Sequence, residues 1–181
     1  MRERMRDSAF ANNIPTTWSG IVGGYIAGGD PFHVWSKNEW ARFQNNKKLP
    51  IFVRDFPGTA KDGITDAVTV IHDLFNLGLT KPCVVALDLE GLQDAPYVST
   101  FGRVLNLCGF TVWNYGSASK VFANPPNNGY WVADYKGIGP FMESHPNVRA
   151  TQYADPAGGS GGQWDSSTVR WWQFRNAHWW I

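Results

Sequence analysis

Two carboxylates, Asp88 and Glu90, stand where a short apolar run, residues 83–87, comes to an end. The β-branched residues in that run predict a buried strand. Residues i and i+2 of a strand point to the same face, so the two carboxylates should project side by side. Two carboxylates in one site push their pKa values apart, which provides one acid and one base or charge stabiliser. The alternative interpretation is a pair of solvated strand-end acids that cap a neighbouring helix.

The composition limits the classes of function. A chain of 181 residues is long enough for one domain with a substantial core. A net charge of +1 and a charged fraction of 17% argue against a protein that binds nucleic acid or an anionic membrane. The 10 Trp suit a sugar-binding cleft, where rings stack on pyranose faces, and equally suit a protein–protein surface.

The cysteines and histidines predict neither a disulfide framework nor a metal site. The two cysteines, Cys83 and Cys108, precede apolar runs and are predicted to be buried thiols. The four histidines have no metal-ligand spacing. Residues 1–7 lack the apolar segment of a signal peptide, and no run approaches membrane-spanning length. A protein acting outside its cell of origin would then need another means of delivery.

The order of elements predicts the fold class. Strand and helix patterns alternate about four times, and strands with little helix between them follow, which favours a parallel sheet with right-handed crossovers. About eight strand candidates fit one domain over residues 1–181, an irregular TIM-like (β/α) barrel with reduced helices in its C-terminal part. An open doubly wound sheet is the alternative, but its glycine-rich phosphate loop is not matched by the glycine pairs at 23–24 and 28–29.

Local signals place several elements. Ser36 and Glu39 form a capping-box pattern at the start of a short helix. A longer helix is predicted to begin at Asp62 or Thr65, and a later one to end near Gly109. The first strand is placed at residues 6–10 and the last at 163–166. The apolar positions expected on the buried face of the longer helix are Ile64, Val68, Ile71 and Phe75.

The strand ends carry the candidate site, because functional groups of a parallel barrel collect at the carboxyl ends of its strands. These positions hold carboxylates, amides and phenols, which is typical of a sugar-binding cleft with acid catalysis. They include neither a Ser or Cys paired with His nor a set of metal ligands. Asp7 and Asp165 could also be turn or cap residues, and Trp131 is expected in the core. The candidate residues are Asp7, Tyr25, Asp55, Asp88, Glu90, Asn114, Tyr115, Asp134, Tyr135, Gln152, Tyr153 and Asp165.

Four segments carry a resemblance to a known family. VVALDLE, YWVADY, RATQYAD and GG-x-WDSS resemble family 25 glycoside hydrolases, the lysozyme-like muramidases. The similarity is greatest to the short glycoside-hydrolase-like domains of actinobacteria and their phages. The opening RDSAFANNIPTT and GIVGGYI resemble the start of those domains. The likeness runs over residues 7–172.

The resemblance implies a barrel of eight strands with about five helices, and a role for each acid. Glu90 matches the general acid. Asp88 matches the residue that orients the 2-acetamido group or stabilises developing positive charge, and Asp7 and Asp165 match residues that position the others and the substrate. The implied substrate is the β-1,4-linked N-acetylmuramic acid–N-acetylglucosamine backbone of peptidoglycan, cleaved without a cofactor. The strand-end residues expected to bind it are Tyr25, Asn114, Tyr115, Asp134, Tyr135, Gln152 and Tyr153.

The spacing of the pair agrees with those roles. An i, i+2 pair at a strand end places its carboxyl groups roughly 5–7 Å apart, close to the separation found in retaining enzymes. Substrate-assisted enzymes depart from the two-carboxylate scheme, so a covalent-nucleophile role for Asp88 stays open.

A second hypothesis is a non-catalytic protein, either a glycan-binding domain or a structural phage virion or tail component with a degenerate hydrolase barrel. It is favoured by the aromatic C-terminal tail, residues 171–181, which would be an exposed apolar patch unless it packed on its own barrel or on virion proteins. The expected location is a phage virion, or the cell wall after release from the host cytoplasm.

Overall fold

The computed structural model describes residues 2–29, 31–79, 83–91, 94–135, 140–153 and 164–170. Over these residues eight strands pair in chain order and close into a barrel, which confirms the predicted α/β barrel. The glycine-rich segment 158–162 and the tail 171–181 lie outside the described residues.

The strands run parallel from the first to the seventh, and the eighth is antiparallel to both of its neighbours. The first strand begins earlier than predicted and ends at Asp7, while the last begins at Asp165 and continues beyond the predicted end. The strands are β1 Arg2–Asp7, β2 Ile21–Tyr25, β3 Lys48–Val53, β4 Val84–Asp88, β5 Thr111–Ser117, β6 Tyr130–Ala133, β7 Val148–Tyr153 and β8 Asp165–Arg170.

The described helices are long on one side of the barrel and short elsewhere. The capping box predicted at Ser36 and Glu39 is present, and Gly78 and Gly109 have the positive φ expected just beyond a helix end. The helices are α1 Lys37–Ala41, α2 Ala60–Asn76, α3 Ala95–Leu107 and α4 Ala118–Phe122, with a 3-10 turn at Ala11–Asn13.

The buried face of α2 differs from the predicted one. Ile64, Val68 and Phe75 are about half exposed, and Ile71 is only partly buried. A Cβ on Gly63 would lie 2.7 Å from the carbonyl oxygen of Tyr97 on α3, so the two helices meet where side chains are smallest. Close approach of the helix backbones decides the buried face here, rather than the size of the apolar residues. That face consists of Gly63, Ala67, Val70 and Leu74.

Two apolar layers hold the barrel together. Because side chains alternate, Val85 and Leu87 of β4 face the helices, whereas Val84 and Ala86 face the barrel interior. This explains why β4 is apolar throughout. Trp131 is fully buried in the interior, as predicted, and its Nε1 donates to Ser167 Oγ at 3.0 Å. The interior layer is Met5, Ile21, Leu49, Ile51, Val84, Ala86, Trp113, Tyr115, Trp131, Ala150 and Val169.

The cysteines are free thiols. Cys83 is buried, as expected, and burial raises its pKa to about 12, while Cys108 is only half-buried. Within the described ranges, no helix is long and apolar enough to cross a membrane.

Candidate active site

Strand alternation brings acidic side chains to one end of the barrel interior. Asp7 continues the inward-facing row of Met5, and Asp88 continues that of Val84 and Ala86. Asp165 was predicted near a strand end but begins β8 instead. Because β8 runs antiparallel to β1, its first residue lies opposite the last residue of β1, and Asp165 and Asp7 are Cα partners.

A cavity of about 300 Å³ opens at this end of the barrel. Asp88 and Glu90 both line this cavity. The Asp88 residue is only 4% exposed, whereas Glu90 is exposed. The two residues are tied together, because the Glu90 backbone N–H donates to Asp88 Oδ1 at 2.9 Å. The lining residues are Ala9, Tyr25, Pro31, Phe32, Val53, Asp55, Asp88 and Glu90.

Gln152 is the centre of a buried hydrogen-bond network below the cavity. Its Oε1 accepts hydrogen bonds from the hydroxyls of Tyr115 at 2.5 Å and Tyr135 at 2.8 Å. Its Nε2 donates to Asp7 Oδ2 at 3.2 Å. The two phenol donors fix the orientation of the amide, so that its N–H group faces Asp7. The other carboxyl oxygen, Asp7 Oδ1, is buried and has no hydrogen-bond partner in the described part of the chain.

Burial sets the protonation of Asp7. Desolvation, followed by the negative charges of Asp165, Asp88 and Glu90, raises the pKa of Asp7 well above its usual 3.8, and the Gln152 hydrogen bond opposes the change only in part. A buried carboxyl that is neutral carries a proton and is a hydrogen-bond donor. Asp7 therefore keeps its proton to a higher pH than an ordinary surface carboxyl does.

Burial is also the main cause of the raised pKa of Asp88. Burial raises the pKa of Asp88 to about 7, with smaller contributions from the charges of Glu90 and Asp55. The Glu90 backbone N–H and the Lys120 ammonium act in the opposite direction. Asp88 thus changes charge near neutral pH, where an acid–base group is most effective.

The pKa shifts of two tyrosines and of Asp165 indicate that the acidic groups lie close together. Burial raises the pKa of Tyr25, and the charges of Asp7, Asp88, Glu90 and Asp165 all add to that effect. Burial, then Asp165, raises the pKa of Tyr135 to about 12. Although Asp165 is an exposed residue, desolvation raises the pKa of its carboxyl as well. Four acids that act on one phenol share one region of the barrel.

Some sequence-predicted residues lie away from the cavity. Asn114 follows the inward-facing Trp113, so its side chain is on the outer face of β5, where it donates to the Pro125 carbonyl at 2.7 Å and accepts from Asn127. Tyr153 is buried, and alternation places it on the opposite face from Gln152. Asp134 is half-buried beyond β6, and its backbone N–H donates to the Gln152 carbonyl.

Sequence reasoning missed two residues at the site. Lys120 lies on α4, and its ammonium donates to the carbonyl oxygens of Glu90 and, at 3.3 Å, Gly91. Its position in a short helix gave no signal of this contact with the β4–α3 loop. Phe32 lines the cavity from the loop after β2. An aromatic residue directly beyond a Gly-Gly-Asp-Pro turn was a usable signal, because a turn rarely needs a large apolar side chain.

The set of groups suits proton donation to a leaving oxygen and stabilisation of positive charge on the carbon it leaves. It offers one exposed carboxyl, one buried carboxyl that titrates near neutral pH, and a second buried acid with a raised pKa. Glycoside cleavage needs a proton donor at the leaving oxygen and a negative group beside an oxocarbenium-like carbon. Within the described residues, His, Cys, Asp and Glu side chains form no group of three that could hold a metal ion.

Comparison with known proteins shows similarity in fold. No protein-family model matches the sequence, and no curated protein is similar to it. The fold resembles an uncharacterized protein of B. stearothermophilus, with a TM-score of 0.75 and 17% identity over 97% of this chain and all of the other. It also resembles the Tat-secreted protein Rv2525c of Mycobacterium tuberculosis, with a TM-score of 0.68 and 14% identity over 93% of this chain and 95% of that one.

A third similar structure is GHIP, a glycosyl hydrolase 25 of Streptococcus pneumoniae. The TM-score is 0.63 and the identity 14%, over 92% of this chain and 86% of GHIP. The chain therefore has the barrel fold of that glycosyl hydrolase 25. These structures lend no support to a virion location or to virion partners.

Proposed function

We propose that the protein is a glycoside hydrolase that cleaves the glycan backbone of peptidoglycan. The observation that carries this proposal is a cavity lined by a buried Asp88 and an exposed Glu90, at the end of the barrel where Asp7 is buried with a raised pKa. The fold supports it, since it is similar to that of GHIP. It is also similar to that of the autolysin LytC of Streptococcus pneumoniae, of which this chain matches 47% and which was solved with a synthetic peptidoglycan ligand (TM-score 0.59, 14% identity).

Each acid has a separate role in the proposed reaction. Glu90 donates a proton to the leaving glycosidic oxygen, because its exposed side chain lies where a bound chain would enter. Asp88 is held by the Glu90 backbone N–H through Oδ1, which leaves Oδ2 for the reacting sugar. There it stabilises positive charge at the anomeric carbon or orients the 2-acetamido group, and water completes the hydrolysis.

Asp7 and Asp165 are positioning residues in this proposal. Gln152 holds one oxygen of Asp7, and burial of the carboxyl raises its pKa and so favours the neutral acid. Because the pKa of Asp7 is raised, Asp7 favours ionisation of Asp88 more than a fully ionised neighbour would. Asp165 lies opposite Asp7, and its charge contributes to the raised pKa of Asp7.

The test is lysis of a peptidoglycan suspension, followed as loss of turbidity. Wild type should clear the suspension, and Glu90→Gln should lose roughly 100-fold or more of the rate, since general acid catalysis contributes 10²–10⁴-fold. Asp94→Asn is the matched control, because Asp94 is an exposed acid on the same loop but outside the cavity. Equal lysis by wild type and Glu90→Gln would refute the proposal.

A second candidate is glycan binding without hydrolysis. The observation that favours it is the solvent exposure of Glu90, since general acids are usually partly desolvated. In that case the protein would sediment with peptidoglycan and leave the turbidity unchanged, and Glu90→Gln would sediment equally well.

A further inference from the structure

Phe32 is exposed to an unusual degree for a residue that lines a cavity. Its side chain is 85% exposed, yet it borders the same cavity as Asp88 and Glu90. An exposed phenyl ring gains nothing for stability, because its apolar surface stays in water. Singly exposed apolar residues are common, but one beside a cluster of acids in a cavity indicates a place for a ligand.

Two other rings extend the surface of Phe32. Phe10, itself half exposed, meets Phe32 edge to face, with ring centroids 5.7 Å apart and an interplanar angle of 87°. His33 stacks on Phe10 at 5.0 Å and 28°. Phe10, Phe32 and His33 are called the aromatic wall below.

The loop that carries Phe32 and His33 is fixed at several points. His33 Nε2 is 2.9 Å from Glu39 Oε1, and Glu39 closes the capping box of α1. Trp35 is buried beneath the loop, where its Nε1 donates to the carbonyls of Ser8 and Ala9 and its backbone N–H to the Tyr25 carbonyl. A ring held on such a framework loses little conformational entropy when a ligand stacks on it.

The cavity lining therefore combines apolar residues, among them Pro31, Phe32 and Val53, with carboxyl groups. A pyranose ring fits this combination, since its C–H face is apolar and its hydroxyl edge is polar, and the π-face of an aromatic ring attracts weakly positive C–H groups. Anionic ligands fit poorly, because Asp55, Asp88 and Glu90 line the same cavity. The favoured occupant is an uncharged sugar ring.

We propose that the aromatic wall is a sugar-stacking subsite that takes an uncharged pyranose ring of a β-linked glycan beside Asp88 and Glu90. The proposal rests on the proposed function for the identity of the glycan, but not on hydrolysis. In this proposal Phe32 selects the substrate at this end of the cleft. The acids alone would not provide that selection.

The test is a binding titration with the β-1,4-linked hexamer of N-acetylglucosamine. Glu90→Gln serves as the background, so that the ligand is not cleaved, and Phe32→Ala and Phe32→Trp are compared in it. Phe32→Ala should raise Kd about 3- to 10-fold, whereas Phe32→Trp should keep or lower it. The matched control is Leu107→Ala at the end of α3, because Leu107 is an apolar side chain 79% exposed and outside the cavity.

The outcomes separate this proposal from the proposed function. Hexamer binding that weakens in Phe32→Ala but not in Leu107→Ala supports the subsite even if the wild type hydrolyses nothing. Equal Kd values for all three variants, or no binding to the hexamer at all, would overturn it. Phe32-dependent sedimentation with phosphatidylcholine vesicles and no sugar binding would also overturn it and assign the wall to lipid. Phe32→Ala should fold normally, since the side chain is exposed.

Discussion

The floor and the rim of the cleft both contain acidic and aromatic residues, but the floor residues are buried and the rim residues are largely exposed. The cleft floor is buried, is carried by strands and is joined by hydrogen bonds. The cleft rim is largely exposed and lies at strand boundaries or in loops. The floor consists of Asp7, Asp88, Tyr115 and Gln152, and the rim of Phe32, Glu90, Tyr135 and Asp165.

The difference assigns separate tasks to the two regions. In the floor, burial and fixed partners decide which carboxyl is charged, at some expense of stability. In the rim, side chains meet solvent and ligand and contribute little to folding. Substitutions in the floor should therefore change both stability and activity, while substitutions in the rim should change stability only slightly.

Asp88→Asn should have the largest effect. We expect the rate of glycan cleavage to fall about 100- to 1000-fold, because the neutral amide gives no electrostatic stabilisation to a developing cation. The amide oxygen still accepts the Glu90 backbone N–H, so the loop geometry is retained. Release of soluble glycan fragments measures the rate. Activity within threefold of wild type would remove Asp88 from the chemistry.

The same variant should be more stable than wild type in alkaline buffer. The folded-state pKa of about 7 is raised above the ordinary 3.8, so stability from the neutral acid is fully present below 3.8 and is lost as the pH rises through 7. Asn stays neutral at every pH and should add up to about 4 kcal/mol to the free energy of unfolding at pH 8, but little at pH 4. Urea unfolding at both pH values measures this. A lower stability than wild type at pH 8 would contradict it.

Gln152→Leu tests the hydrogen-bond network of the floor. It leaves Asp7 and Tyr115 buried without their partner, which should lower the free energy of unfolding by about 3 kcal/mol. Gln44→Leu is the control, because Gln44 is exposed and should change stability by less than about 0.5 kcal/mol. Equal unfolding midpoints for the two variants would show that the network is dispensable.

The pH dependence of the rate tests which form of Asp88 is active. If the ionised form stabilises the cation, kcat/KM should fall about tenfold per pH unit as the pH drops below 7. Initial rates from pH 4 to pH 9 would show this limb, and Asp88→Asn should lack it. A rate that instead falls as the pH rises through 7 would make Asp88 the proton donor in place of Glu90.

Tyr135→Phe should have the smallest effect. Its hydroxyl donates to Gln152 Oε1 from the rim, and Tyr115 donates to the same oxygen from the floor. Loss of the half-exposed donor should lower stability by less than about 1 kcal/mol, as measured by urea unfolding. A loss as large as that of Gln152→Leu would mean that floor and rim are one structural unit.

The sequence predicted what depends on local periodicity. The apolar run before Asp88 fixed both the strand and the i, i+2 direction of its carboxylates, and the closed barrel followed from the order of strands and helices. The buried face of α2 was not predictable in this way, because contact with α3 selects Gly63 and Ala67 over the larger Ile64 and Val68. That choice depends on a neighbour distant in sequence.

The sequence predicted a group of acids at the site, but not which of them are paired, buried or exposed. Asp7 and Asp165 were both proposed, yet their pairing depends on an antiparallel β8 that no local pattern indicates. Asn114 was placed at the site because it ends an apolar run, but alternation from Trp113 turns it outward. The contact of Lys120 with the β4–α3 loop joins residues 30 positions apart and left no trace in composition.

The central claim is that a glycan chain lies in the cleft and is cut between Asp88 and Glu90. The most direct test is mass spectrometry of purified peptidoglycan glycan strands after incubation with the protein in ¹⁸O-labelled water. The account predicts shorter strands whose new reducing-end sugar carries one ¹⁸O atom, with wild type but not with Glu90→Gln. Strands of unchanged length that nonetheless bind the protein would contradict it.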